Sequence, residues 1–304
     1  MAENTGALMT ARGAVAPVVE RTQGLARGVQ SFAVRHPVGA AGGAVMLVIV
    51  GIALAAPLIA PYNPIEGHFT DINDPPSSGF LLGTDRVGRD VLSRTIYGAR
   101  VSLMVAFVAV MVGDSLGAMW GIASGYLGGK FDIYSQRFVE LLMAFPTLIL
   151  AMVLLLGLGA GVFTVIVAIA ITRIPLSVRV IRSVALSVKE NDYVEAARAI
   201  GASDVRIMAR HIAPQCFAPW LVLVSAQLGG VIILEASLGF LGVGVPAPTA
   251  TWGNMLGGAV AANLKPEWWL VIFPGLAITI TVLALNLFGD SIRDAMDPKL
   301  RGRI

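Results

Sequence analysis

The amino-acid sequence predicts an all-α polytopic membrane protein with six transmembrane helices. Of its 304 residues, 56% are hydrophobic and only 13% are charged, and the mean hydropathy is +0.77. A soluble domain has about 25% charged residues, so this composition leaves too little polar surface for a folded monomer in water. Apolar stretches of about 20 residues, long enough to cross a bilayer, recur along the chain. Together these observations exclude an ordinary soluble enzyme and a disordered chain.

The six spans are predicted from the spacing of charged residues. The stretch from Leu141 to Thr172 has no charge, and at about 1.5 Å per residue it is too long for one crossing of a hydrocarbon core about 30 Å thick. The glycines between Gly157 and Gly161 are therefore predicted to divide it into a helical hairpin. The predicted spans are residues 38–60, 101–127, 135–156, 162–181, 217–243 and 268–289.

The positions of Lys and Arg predict the orientation of the spans. Most of the 22 basic residues fall in alternate segments: the N-terminal tail, the turn between spans two and three, the loop between spans four and five, and the C-terminal tail. Loops retained in the cytoplasm carry such an excess, so both termini are predicted to be cytoplasmic. The predicted order is a cytoplasmic tail (1–37), a membrane domain (38–289) and a second cytoplasmic tail (290–304). Two longer segments lie between spans: residues 61–97, here called the outer loop, and residues 182–215, here called the inner loop.

Several other kinds of site are not expected. The net charge of +3 follows the topology and forms no basic patch on a soluble domain, so no nucleic-acid partner is predicted. The single cysteine, Cys216, lies in an apolar run, and the three histidines lack metal-ligand spacing, so no metal site is predicted. The nearest approach to a phosphate loop, residues 124–131, lacks both the first glycine and the final hydroxyl. We therefore expect no nucleotide site and no enzyme activity in this chain alone.

The inner loop is predicted to form two short helices joined by a glycine turn. Asp192, with Glu195 three residues later, resembles a capping box. Gly201 suits the left-handed position after a helix, and Pro214 is expected to follow the second helix. Such a knob of small residues flanked by arginines fits a groove of a cytoplasmic partner, with Ala197 expected to allow close approach to it. The same pattern also describes an amphipathic loop lying on anionic headgroups, and the spacing alone leaves both interpretations open.

The sequence of the inner loop resembles a known motif. It is similar to the EAA loop found in permease subunits of bacterial ATP-binding-cassette importers, which docks on the ATPase subunit. The resemblance implies that this loop couples ATP hydrolysis to movement of the spans, with ATP and Mg bound by the partner ATPases. The residues that carry it are Glu195, Ala196, Ala197, Gly201, Ile212 and Pro214.

Three further stretches narrow the resemblance. Residues 82–94, residues 235–256 and residues 289–298 are similar to the dipeptide, oligopeptide and nickel permease family, and within it to the C-type subunit of oligopeptide or dipeptide permeases. The resemblance covers the chain from about Arg35 to Arg301. It implies a type I importer fold in the bacterial cytoplasmic membrane. It also implies a heterodimer with a homologous permease, two cytoplasmic ATPases and an external solute-binding protein. Di- or oligopeptides are the leading expected substrate, and nickel or another small solute is the alternative.

The outer loop contains two short motifs with a direct physical interpretation. In each, a glycine allows a tight turn and an aspartate, Asp85 or Asp90, is placed to cap a turn or a helix. Nearby arginines supply ionic partners. The motifs therefore predict a loop ordered by its own caps and ion pairs, and contact with a binding protein or substrate is the alternative. The motif residues are Gly83, Thr84, Asp85, Gly88, Arg89 and Asp90.

Three ionisable residues, Asp114, Arg173 and Glu235, fall deepest in the predicted spans. A charge in that position is costly and usually faces protein or water. These residues are predicted either to line the transport path or to pair structurally. An ion-coupled secondary transporter would need several such carboxylates in two repeats. An intramembrane hydrolase would need a nucleophile and a base within the spans. The sequence offers little support for either.

Overall fold

The computed structural model describes residues 33–262 and 266–296, and almost every ordered element in these ranges is helical. Most of both predicted tails therefore lies outside the described residues. The helices are α1 (Pro37–Leu54), α2 (Ala56–Ile59), α3 (Val91–Leu127), α4 (Gly129–Met143), α5 (Thr147–Leu158), α6 (Val162–Val188), α7 (Asp192–Ala199), α8 (Asp204–Ile207), a π-helical turn (Met208–Ile212), α9 (Ala213–Phe240), α10 (Trp252–Ala262) and α11 (Trp268–Met296).

Five helices of the described part of the chain are long and apolar enough to cross a membrane: α1, α3, α6, α9 with the turns that precede it, and α11. The third predicted span, residues 135–156, is wrong as a single helix. It is a broken pair, α4 and α5, bent by 94°. With 12 residues, α5 is only about 18 Å long, too short to cross alone. The break falls at Pro146, where the residue before a proline is driven out of the helical conformation.

Three membrane helices, α3, α6 and α11, extend beyond their predicted spans, whereas α1 ends at Leu54, before the predicted end at 60. Helix α3 begins at Val91 rather than 101, so the outer loop ends at Asp90. Helix α6 continues to Val188, and α11 continues to Met296, so residues 290–296 are helical and not a separate tail. Hydropathy marks only the apolar part of a helix, whereas backbone hydrogen bonding carries the helix on through charged turns. The predicted break at residues 157–161 is confirmed, because Gly159 has a φ of 84°.

A helix between spans five and six, α10, was not predicted. Its start is defined by a reciprocal cap: the Thr251 N–H donates to Asn254 Oδ1 (3.0 Å), and the Asn254 N–H donates to Thr251 Oγ1 (3.2 Å). This is the capping-box pattern with asparagine in the place of glutamate or glutamine. The Thr-Trp-Gly-Asn sequence at 251–254 therefore contains a signal for the helix.

Among the described residues, helices α3 and α6 make the most extensive contact between any two helices. Four glycines of α3, spaced four residues apart, share one helix face and lie directly on α6. A Cβ atom added at any of them would lie 2.4 to 2.9 Å from the nearest atom of α6. Small residues at such a face let helix backbones approach closely, so α3 and α6 meet with almost no side chain between them. The four glycines are Gly113, Gly117, Gly121 and Gly125, and we call this contact the glycine seam.

Candidate functional site

The inner loop forms the predicted pair of short helices with a glycine turn between them. Gly201 has a φ of 81°, which confirms the left-handed turn. Two backbone hydrogen bonds close the end of α7: Gly201 N–H donates to Arg198 O (3.0 Å), and Ala202 N–H donates to Ala197 O (3.1 Å). This pair of bonds is the Schellman motif, which usually requires glycine at that position. The glycine therefore fixes the angle between α7 and α8, which we call the first and second arms of the inner loop.

Two details of the predicted loop are wrong. The N-cap of α7 is Asn191, not Asp192, which lies in the first turn with Glu195 and interacts favourably with the helix dipole there. The second arm, α8, does not end at Pro214. It continues through the π-helical turn into α9, and Pro214 occupies the first turn of α9, where a missing N–H costs nothing. A proline after a run of helical residues is typical of the end of a helix, but proline is equally common in the first turn of the next one.

The inner loop packs into a buried hydrophobic cluster that it shares with α3, α6 and α9. Ala197 is only 6% exposed, and Ile212 is fully buried. The expectation that Ala197 gives close approach to a partner is therefore wrong, because this methyl group packs inside the chain. Its neighbour Ala196 is exposed, as are Glu195 and Gly201. The buried members of this cluster are Ala118, Tyr126, Ile181, Ala185, Val188, Val194, Ala197, Ile207, Ile212 and Cys216.

The outward surface of the inner loop combines apolar and basic side chains. Ile200 is 86% exposed and Val205 is 71% exposed, on either side of the glycine turn. An exposed pair of large aliphatic side chains favours contact with another protein or with the membrane surface over contact with solvent. The arginines that accompany them, Arg198, Arg206 and Arg210, are all exposed.

Tyr126, which sequence reasoning missed, connects the loop to α3. Its hydroxyl donates to Asp204 Oδ1 at 2.8 Å, and the guanidinium carbon of Arg198 lies 5.7 Å from the centre of its ring. The tyrosine is the second-last residue of α3 and is largely buried. No pattern in the sequence singles it out, because its partners lie more than 70 residues away.

The structure pairs two of the three deep charges with each other. Asp114 on α3 and Arg173 on α6 form an ion pair, with Asp114 Oδ1 3.7 Å from Arg173 Nη2. The Asp114 side chain is fully buried and that of Arg173 is 11% exposed. Within this chain the two charges therefore offset each other at the glycine seam. A buried charge without such a partner would be strongly destabilising.

Glu235 is not part of that pair. It lies on α9, is 1% exposed, and has no basic partner among residues 33–262 and 266–296. Both of its carboxylate oxygens are buried without a hydrogen-bond partner among the described residues.

The outer loop is ordered by its own caps and ion pairs, as predicted. Asp90 caps α3: its Oδ2 accepts from Ser93 N (2.7 Å) and from Ser93 Oγ (2.6 Å). Asp85 Oδ1 accepts from the backbone N–H of Arg89 (3.0 Å), and its Oδ2 pairs with Arg89 Nε (2.8 Å) and with Arg94 Nε (3.6 Å). The carboxylates of Asp85 and Asp90 are therefore both engaged by groups of the outer loop and of the start of α3.

The remaining motif residues of the outer loop support the same turns. Gly83 and Gly88 have φ values of 77° and 74°. The Thr84 hydroxyl donates to Asp71 O and accepts from Asp74 N. Among the described residues Arg86 is exposed and makes no ion pair, so it is the basic side chain of the motif that is available to another molecule.

Comparison with known families gives two matches. Residues 117–302 match the family described as binding-protein-dependent transport system inner membrane component. Residues 33–76 match the N-terminal transmembrane domain of oligopeptide transport permease C. The first match alone covers more than half of the chain and includes the whole inner loop.

Curated relatives agree over nearly the full length. The chain is 41% identical over 279 residues to the di/tripeptide transport system permease protein DppC of Pseudomonas aeruginosa, covering 90% of this chain and 91% of the relative. It is 34% identical to the dipeptide transport system permease protein DppC of Bacillus subtilis (88% and 83% covered). It is 40% identical to the glutathione transport system permease protein GsiD of Pectobacterium atrosepticum (88% and 89% covered).

A solved structure shares the fold. The MetNI methionine ABC transporter, in an inward-facing crystal form, aligns with a TM-score of 0.55 at 19% sequence identity. The alignment covers 68% of this chain and 97% of the other. This similarity supports the type I importer permease fold.

Proposed function

Because the chain belongs to the family of binding-protein-dependent transport system inner membrane components, we propose that it is the C-type permease subunit of an importer for di- or oligopeptides. Membership of the family makes it a multi-pass inner membrane transport subunit. The observation that carries the proposal is the inner loop: the family match spans it, and it forms an exposed helical knob at the end of two membrane helices.

Peptides are the substrate class that the relatives favour. The relatives from Pseudomonas aeruginosa, Bacillus subtilis and Pectobacterium atrosepticum are named for di- and tripeptides, dipeptides and glutathione. The similarity extends over nearly all of each relative. We therefore rank a short peptide above nickel or another small solute.

The proposed complex contains four kinds of subunit. A homologous permease completes the membrane pathway, two cytoplasmic ATPases bind ATP and Mg, and an extracytoplasmic binding protein delivers the peptide. The exposed Ile200 and Val205, with the arginines beside them, support docking of the inner loop on the ATPase through apolar contact and charge. In this arrangement both termini lie in the cytoplasm, in agreement with the distribution of Lys and Arg.

Energy coupling is mechanical in this proposal. ATP-driven closure of the ATPases displaces the inner loop, which is continuous with α6 at one end and with α9 at the other. The pairing of Asp114 with Arg173 leaves Glu235 as the deep carboxylate of the described chain that lacks a basic partner. This arrangement gives little support for ion-coupled transport, which usually needs a relay of such groups.

The test is reconstitution of the full complex in proteoliposomes with the binding protein outside. We expect uptake of a labelled dipeptide or tripeptide that requires ATP in the compartment of the ATPases and is abolished by vanadate. Nickel offered under the same conditions should not accumulate. Peptide uptake that needs no ATPase but follows an ion gradient would contradict the proposal, and uptake of nickel alone would correct the substrate.

A further inference from the structure

We propose that Tyr126 is a positioning residue for energy coupling: it holds the two arms of the inner loop in a fixed orientation on α3. A displacement of the loop then moves α3 together with α6 and α9. The inference rests on the proposed function, since it concerns how the inner loop transmits movement. It assigns a role to a residue outside the EAA motif.

Tyr126 contacts both arms of the loop at once. Arg198, whose guanidinium lies over the tyrosine ring, is in the last turn of α7. Asp204, whose Oδ1 accepts a hydrogen bond from the tyrosine hydroxyl at 2.8 Å, is the first residue of α8. The glycine turn at Gly201 lies between these arms. One side chain therefore links the two helices that the turn separates, through a cation–π contact and a hydrogen bond to a charged group.

The backbone attaches the loop to two other helices. The first arm follows α6 through residues 189–191, and the second arm enters α9 through the π-helical turn at Met208–Ile212. π-Helical turns inside helices often mark functional positions. Neither attachment leads into α3. The loop thus contacts α3 through side chains, and Tyr126 supplies the directional polar contact within the buried cluster.

Helix α3 is in turn fixed to α6. At the glycine seam the backbones of α3 and α6 pack in direct contact, so one helix cannot slide over the other without a steric clash. The hydroxyl of Ser177 on α6 donates to the backbone O of Asp114 on α3 at 2.7 Å, next to the ion pair with Arg173. Because α3 and α6 pack as one unit, a contact at the end of α3 orients the loop relative to both helices.

The first experiment is the variant Tyr126→Phe in the complete transporter. Phenylalanine keeps the ring beside Arg198 and the packing, but it removes the hydrogen bond to Asp204. We expect the stimulation of ATP hydrolysis by peptide-loaded binding protein to fall at least about tenfold, the effect of losing one hydrogen bond to a charged group. The binding-protein concentration for half-maximal stimulation should stay the same. The matched control is Tyr134→Phe, which removes a hydroxyl from a side chain that is 72% exposed.

The second experiment separates positioning from simple stabilisation. In a Cys216→Ala background, Tyr126→Cys and Asp204→Cys are combined and then joined by a short bismaleimide. The uncrosslinked pair should lose stimulation, and crosslinking should restore it, because the linker replaces the lost connection. A purely structural role would lower the melting temperature and the yield of complex without making stimulation depend on the crosslinker.

Two results would overturn the inference. One is full stimulation in assembled Tyr126→Phe complex, and the other is a crosslink that fails to restore coupling or blocks it, which would mean that α3 and the loop must move apart. Failure of the proposed function looks different, because the unmodified complex would then show no ATP-dependent peptide uptake. The two failures are distinguishable in one set of proteoliposomes.

Discussion

Asp114 and Arg173 face each other across the contact between α3 and α6, with Asp114 Oδ1 3.7 Å from Arg173 Nη2 and the aspartate fully buried. The glycine seam places this pair, because Gly113 leaves no side chain between its own backbone and the Cβ of Arg173. A charged pair in a tightly packed helix interface ties the two helices to one register. Each buried charge also depends on the other to offset the cost of its burial.

The first prediction concerns that dependence. Asp114→Ala should lower the free energy of unfolding by about 3–5 kcal/mol, because it leaves Arg173 buried without a counter-ion. The double variant Asp114→Leu with Arg173→Met should recover most of the loss. Thermal unfolding of the purified complex measures both. If the single variant kept its stability and changed peptide selectivity instead, the pair would belong to the transport path.

The second prediction concerns topology. In a Cys216→Ala background, a cysteine at Ser78 should react with an impermeant maleimide from outside the cell. Cysteines at Lys130, Ser203 and Lys299 should react only after the membrane is opened, because the basic residues keep these segments in the cytoplasm. External labelling at position 203 would reverse the orientation and remove the basis for ATPase docking.

The third prediction concerns the cap at the start of α3. Asp90→Ala should lower the free energy of unfolding by about 0.5–2 kcal/mol, because the Ser93 N–H and hydroxyl lose their acceptor. Asp74→Ala is the matched control, since its side chain is exposed and caps no helix. Unchanged stability combined with weaker association of the binding protein would show that Asp90 serves recognition instead.

The fourth prediction concerns the glycine turn. Gly201→Val should insert in the membrane but abolish transport and the stimulation of ATP hydrolysis, because the left-handed conformation costs a non-glycine residue about 1–2 kcal/mol and more for a branched one. Gly201→Asn should retain much of both activities, since asparagine tolerates this conformation. Normal uptake by the valine variant would exclude the inner loop as the coupling element.

The fifth prediction uses two adjacent alanines. Ala197→Trp should destabilise the subunit, because residue 197 lies in the buried cluster of the inner loop. Ala196→Trp should leave the subunit folded but weaken co-purification of the ATPase, because residue 196 is exposed on the same helix. Equal loss of stability in both variants would mean that the exposed side of α7 is not the docking surface.

The membrane helices were predictable from the sequence because hydropathy is a local property. The long apolar runs identify α1, α3, α6, α9 and α11, and the glycine at 201 identifies its own turn. Boundaries were less accurate, since charged residues such as Arg94 continue a helix beyond its apolar part.

The contacts that make the site were not predictable in the same way. The pairing of Asp114 with Arg173 and that of Tyr126 with Asp204 each join residues far apart in the sequence. A periodic pattern shows which face of a helix is small or apolar, but it does not show which helix will cover that face. The burial of Ala197, opposite to expectation, has the same origin: the motif identifies the loop, and packing decides which of its alanines point inward.

The 94° break between α4 and α5 has a consequence for what surrounds the protein. A helix that starts anew leaves its first amide groups without acceptors inside the helix, and Pro146 and Thr147 at this start are exposed in the isolated chain. Hydrocarbon provides no acceptors, so bare amides are not tolerated against lipid tails. The surface around Pro146 is therefore wetted by water or headgroups, or covered by another polypeptide, in the working transporter.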